Sequence, residues 1–162
     1  MTVRDADQER VATLIEIAEG RFAIPLLDDD GIRDLLRSGP RIAVVGASAN
    51  PIRPSLGVMR ALRRAGYDVV AVSPRETEID GLPCYPSLTA AVAATGRVDV
   101  VDVFRRSDQC AAHAREAVAA GARCLWLQLG IANAEAARIA HDAGLSVVMD
   151  RCTIVEHRRL AA

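Results

Sequence analysis

The residues best suited to chemistry in this sequence lie just after its apolar runs. AVVGASANPIRPS, residues 43–55, starts as a buried strand and breaks into a small-residue loop. Gly46, Ala47 and Ser48 let backbone amides approach a phosphate, and the hydroxyls of Ser48 and Ser55 add donors. Arg53 offers a guanidinium fork for an anion. A helix opening at Pro54-Ser55 presents its free amides and positive dipole end to the same anion. The loop sits where a dinucleotide fingerprint would, but the second and third glycines of that fingerprint are absent.

The later runs end in further candidates. Ser73, Pro74 and Arg75 follow DVVAV, at the position where nicotinamide folds place a carboxylate for a free ribose 2′-hydroxyl. Arg75 suits instead a ribose with an extra phosphate, the 2′-phosphate of NADP or the 3′-phosphate of coenzyme A. Val103, Phe104 and Arg105 close the third run; Phe104 covers an adenine or a pantetheine arm, or caps the core, and Arg105 can meet phosphate. Gln128 can bond a ligand amide, and Gly130 permits close backbone approach. Cys152 follows the fifth run; it reads either as a structural thiol or, where the ligand is coenzyme A, as one that forms a reversible mixed disulfide with it under oxidation.

These positions require a parallel sheet to bring them together. RIAVVG, DVVAVS, VDVVDVF, RCLWLQLG and SVVMD are continuous, Val-rich runs, as expected of strands covered on both faces. Between them LGVMRALRRAG, SLTAAVAATG, SDQCAAHAREAVAAG and ANAEAARIAHDAG read as helices, each stopped by a glycine. Ser87, Ser107 and Asn133 are expected N-caps. GLPCYPS reads as extended or turned. The pattern predicts an α/β fold, a Rossmann-like doubly wound parallel sheet of about five strands with an N-terminal helical extension. The expected division is residues 1–38 for the extension and 39–162 for the Rossmann-like domain. In the extension, ADQERVATLIEIAEG and DDDGIRDLLRSG read as helices, with Val11, Leu14, Ile15 and Ile17 expected on one face of the first. This pair is expected to cover the sheet domain or meet a partner subunit, leaving monomer or homodimer open.

Composition narrows the function classes. At 162 residues and 51% hydrophobic, the chain can bury one sizeable core. A net charge of -1 and 3% aromatic residues argue against nucleic acid and anionic membranes. No apolar run is long enough to span a membrane and the first ten residues carry no signal-peptide pattern. The four cysteines lack CxxC spacing, so reduced thiols in a cytoplasmic protein are expected, with no metal. All 20 basic residues are Arg. Without lysine there is neither Schiff-base chemistry nor a Walker A loop.

Several pieces in fixed order, VVGASANPIRPS, VMRALRRAGYDVVAVSPR, VDVVDVFRRS, LWLQLGI and GLSVVMDRC, together resemble one family. It is the small CoA-binding domain proteins, akin to the N-terminal domain of the succinyl-CoA synthetase α subunit. The resemblance runs from about Arg41 to Leu160. It implies coenzyme A bound across the strand ends. The GAS turn with Pro54 and Ser55 would hold phosphates, and Ser73, Pro74 and Arg75 would surround the 3′-phospho-ADP. Arg75 departs from the lysine usual in the synthetase domain but keeps the charge. Val103 and Phe104 would line the adenine side, Gln128 and Gly130 the pantetheine.

Three functions compete. The first is a CoA-binding or acyl-CoA-binding protein with no chemistry of its own. The second is the CoA-binding component of an acyl-CoA ligase assembly; that reading requires a phospho-His domain and a nucleotide-grasp domain, for which this length leaves no room. The third is an NADP-binding oxidoreductase, which lacks its fingerprint glycines and any Tyr-x-x-x-Lys pair. His113, His141 and His157 are expected to be packing or surface residues.

Overall fold

The structure is a computed structural model that describes residues 2–162. Two helices open the chain, α1 over Val3–Ala18 and α2 over Asp29–Arg37. Strands and helices then alternate: β1 Ile42–Val45, α3 Pro54–Arg64, β2 Val69–Val72, β3 Glu78–Ile79, β4 Leu82–Tyr85 and α4 Leu88–Thr95. They continue as β5 Val100–Val103, α5 Cys110–Ala119, β6 Cys124–Leu127, α6 Ala134–Asp142, β7 Ser146–Val148 and α7 Thr153–Glu156. The seven strands form one sheet in the order β3-β4-β2-β1-β5-β6-β7, parallel except for the β3–β4 pair. The fold is Rossmann-like, with two strands more than the apolar runs announce. β3 escapes that count because it is only two residues long, and β4 because Pro83 interrupts it and it is half-exposed.

Period-two alternation divides each central strand between two cores. Ala43, Val45, Val101, Val103, Leu125 and Leu127 face α4, α5 and α6. Ile42, Val44, Val100 and Trp126 face the other way, toward α2, α3 and α7. Helix ends follow their local chemistry. Ser87 and Asn133 cap α4 and α6, accepting from the amides of Ala90 and Ala136. Gly66, Gly96, Gly121 and Gly144 all take positive φ just past their helices. Ser107 is a correction: it opens a 3-10 turn over Ser107–Gln109 and does not cap α5. Its hydroxyl instead accepts from the Ala132 amide at 3.2 Å.

Residues 14–36 are tied to both cores. Leu14 and Ile17 of α1, then Phe22, Ile24 and Leu26, pack on one face of the sheet. Ile32, Leu35 and Leu36 of α2 are buried on the other. The connecting segment crosses the β7 edge, where the Leu27 amide donates to the Val147 carbonyl at 2.9 Å. Val11 and Ile15 correct the expected single face: both point outward, and Thr13 is the buried residue of α1. Four apolar residues within seven positions are too many for one narrow stripe at 3.6 residues per turn.

Candidate functional site

The strand order reverses at β1, which has β2 on one side and β5 on the other. In open parallel sheets the crevice beyond such a reversal is where ligands bind. Here the carboxyl ends of β1, β5 and β6 and the start of α3 enclose a cavity of about 270 Å³. Gly46, Arg53, Ser55, Phe104, Gln128 and Cys152 contribute to its wall. Val58, Leu129 and Ile131 supply apolar surface to the same cavity, and Leu129 is 69% exposed at its rim. These three carry no polar signature that a sequence could advertise.

Gly46 makes the bend. Its φ is +87°, and a Cβ there would stand 3.0 Å from Cδ of Arg105 and 3.3 Å from the carbonyl carbon of Phe104. Beyond it the loop satisfies most of its own donors. The Gly46 and Ala47 amides donate to the Val72 carbonyl, the Asn50 amide to Ser48 Oγ, and the Ile52 amide to Asn50 Oδ1. The Ala49 amide donates to a carboxylate oxygen of Glu76 at 3.2 Å. Pro51 and Pro54 have no N–H. The expectation that the whole GAS turn offers amides is thus corrected: Gly46 and Ala47 shape the loop and do not donate outward. Among the described residues the amides of Ser48 and Ser55 have no backbone partner.

Ser55 is the anomaly of the site. It lies in the first turn of α3, is 2% exposed, and among the described residues its Oγ has no hydrogen-bond partner. Buried hydroxyls are nearly always paired, because an unpaired one costs about 1–3 kcal/mol. A helix N-terminus, a lone hydroxyl and Arg53 at the N-cap converge on one cavity. Arg53, Arg75 and Arg105 make no ion pair among the described residues, so their charge is available to an anion.

Other expected residues are placed differently. Ser73 is buried at the end of β2, with its Oγ accepting from the Arg75 amide at 3.2 Å. Pro74 and Arg75 are exposed beyond it, along the strand-end rim and outside the cavity wall. Val103 is 0% exposed in the core under α5, so its side chain does not reach the cleft. Gly130 faces away as well. Its amide donates to Asp150 at 2.7 Å and its carbonyl accepts from Arg10 of α1 at 3.2 Å.

Gln128 lines the cavity, but its amide nitrogen points inward. Nε2 donates to both carboxylate oxygens of Asp102, at 2.9 and 3.1 Å, and to Thr153 Oγ1 at 2.9 Å. Thr153 Oγ1 donates in turn to Asp102 at 2.9 Å. Only Oε1 of Gln128 is left for a ligand, so it can accept and not donate. Asp102 is 0% exposed, and burial pushes its carboxyl up to about 7 against the pull of its hydrogen bonds from Gln128 and Thr153. The one sequence signal for this cluster is an acid inside the apolar run VDVVDVF. Its partners, Gln128 and Thr153, come from the ends of other elements.

A family profile described as CoA binding domain matches residues 40–158. The chain belongs to this family. It is 38% identical over 126 residues to the uncharacterized protein YneT of Bacillus subtilis (strain 168), covering 78% of this chain and 91% of that one. Among solved structures, a hypothetical protein from Pyrococcus horikoshii OT3 superposes with a TM-score of 0.77 at 38% identity, over 83% of this chain and 92% of the other. A Thermus thermophilus protein gives 0.76 at 38% identity, over 82% and 98%. The region matched to the family contains every cleft residue from Gly46 to Cys152.

The turn that carries Cys152 is anchored in the core. Trp126 is 0% exposed, and its Nε1 donates to the Arg151 carbonyl at 2.7 Å. Trp126→Phe keeps most of the packing but strands that carbonyl. It is expected to lower the unfolding free energy by about 1–3 kcal/mol, measured by urea denaturation. An unchanged midpoint would show that the carbonyl finds water and the anchor is dispensable.

Proposed function

We propose that the cleft binds coenzyme A or an acyl-CoA and performs no chemistry of its own on the acyl group. The observation that carries this reading is the buried, unpartnered Ser55 hydroxyl at the α3 N-terminus, beside the unpaired Arg53. A phosphate oxygen satisfies both, together with the free Ser55 amide. Membership of the CoA-binding domain family supports coenzyme A as its source. Arg75 at the end of β2 is suited to the 3′-phosphate. The arm then runs past Phe104 and Leu129, whose apolar surface matches pantetheine, and Oε1 of Gln128 can accept from one of its amides. The absence of chemistry is argued from what stands at the cavity: Arg, Ser, Gln and Cys, with no histidine, lysine or carboxylate. His157, the histidine closest in sequence to Cys152, is paired with the Tyr67 hydroxyl at 2.7 Å.

Calorimetric titration with CoA, dephospho-CoA, NADPH and ATP tests the reading. CoA is expected to bind tightest. Arg75→Ala is expected to weaken CoA by about 10- to 100-fold, the value of a charge-assisted phosphate contact, and to leave dephospho-CoA nearly unchanged. Equal loss for both ligands would remove Arg75 from the 3′-phosphate. No heat with CoA would overturn the reading, and tighter binding of NADPH would favour the nicotinamide alternative.

A further inference from the structure

The four thiols of the chain stand in unlike surroundings. Cys84, Cys110 and Cys124 are buried, and burial pushes all three thiols up, Cys110 to about 12. A thiol held in its protonated form does not act as a nucleophile. Cys152 alone is partly exposed, and it opens onto the cavity that Ser55 and Arg53 share. Its place along the rim is informative. The Arg151 amide and carbonyl bond to Leu127 and Trp126, so Cys152 stands over the end of β6, three inter-strand steps from β2, about 14 Å at roughly 4.8 Å each. A ligand with a phosphorylated ribose at Arg75 and phosphates at Ser55 extends its far end toward Cys152.

Resting on the CoA reading, we infer that Cys152 is a thiol–disulfide exchange site for the disulfide form of the ligand. The cleft delivers the sulfur of a CoA-linked disulfide, R–S–S–CoA, to Cys152 Sγ. The thiol first loses its proton to water. The thiolate then attacks the CoA sulfur, forming a Cys152–S–S–CoA bond as the R–S bond to that sulfur breaks. The electron pair leaves on RS⁻, which takes up a proton. The Cys152 sulfur is oxidised and RS is reduced, so the incoming disulfide is the oxidant. Excess thiol runs the exchange backward and restores the free protein.

The test uses the full chain and symmetric CoA disulfide, followed by intact mass and peptide mapping. One adduct is expected, at Cys152, heavier by one CoA less two hydrogen atoms and removed by dithiothreitol. It should form at least about tenfold faster than the adduct from glutathione disulfide, because the cleft positions the reacting sulfur. Free CoA should slow it by competing for the cleft. Equal rates for the two disulfides without competition by CoA, labelling of another cysteine, or no adduct would each overturn the inference. Calorimetry with CoA on the parent chain separates the two claims. Normal CoA binding with no adduct on the parent chain sinks the exchange and leaves the CoA reading standing; absent CoA binding in the parent chain sinks both.

Discussion

Asp102→Asn is expected to unfold at a higher urea concentration than the parent chain at pH 8, and at nearly the same concentration at pH 4. Burial lifts the Asp102 carboxyl from 3.8 in the unfolded chain to about 7 in the folded one. Below pH 3.8 both states hold the proton, and the group does not affect stability. Between that value and about 7 the unfolded chain releases the proton while the folded chain keeps it, so this group lowers stability as pH rises. Above about 7 the full penalty applies, of the order of 4 kcal/mol. Asparagine cannot ionise and escapes it. Asp5, Asp29 and Asp80 act in the opposite sense, since their hydrogen-bond partners hold them below the usual range and their contribution fades in acid. Comparing the two chains at each pH cancels those groups. Parallel stability curves from pH 4 to 8 would show that Asp102 ionises in the folded protein as it does in water.

The second large effect is at the bend. Gly46→Val is expected to weaken CoA at least about 100-fold and to cost about 1–3 kcal/mol of stability. At φ +87° a β-branched residue is strained whatever surrounds it. Its Cβ would also press on the Arg105 stem and on the Phe104 backbone, which cannot yield as a side chain can. Both effects displace the loop from the cavity it walls. Titration and urea denaturation on one preparation check the pair. Lost stability with full affinity would separate the bend from the binding site.

The architecture was legible because its signals are local. Continuous Val-rich runs marked β1, β2 and β5, and the glycines after α3 to α6 marked the stops. The rule that ligands sit beyond parallel strand ends then located the cleft near Gly46, Phe104 and Gln128. What the sequence could not announce depends on partners distant along the chain. Glu76 decides that the Ala49 amide is taken, and Val72 takes two more. Asp102 and Thr153 decide which end of Gln128 meets a ligand. The resemblance implies Val103 and Gly130 at the ligand, but side-chain alternation turns the first into the core, and Asp150 and Arg10 hold the second from behind. The isolation of Ser55 is likewise a three-dimensional fact.

The hydrogen bond from Leu27 to Val147 also bears on how copies of this chain can assemble. It occupies a main-chain acceptor on β7, where a neighbouring strand would otherwise dock, and the helices on either side of it straddle that border. At the opposite border β3 is only two residues long and runs antiparallel to β4. The sheet is therefore poorly suited to growth by strand addition at either end. Removing residues 1–38 would uncover the β7 border and leave its main-chain acceptor open to a strand from another copy.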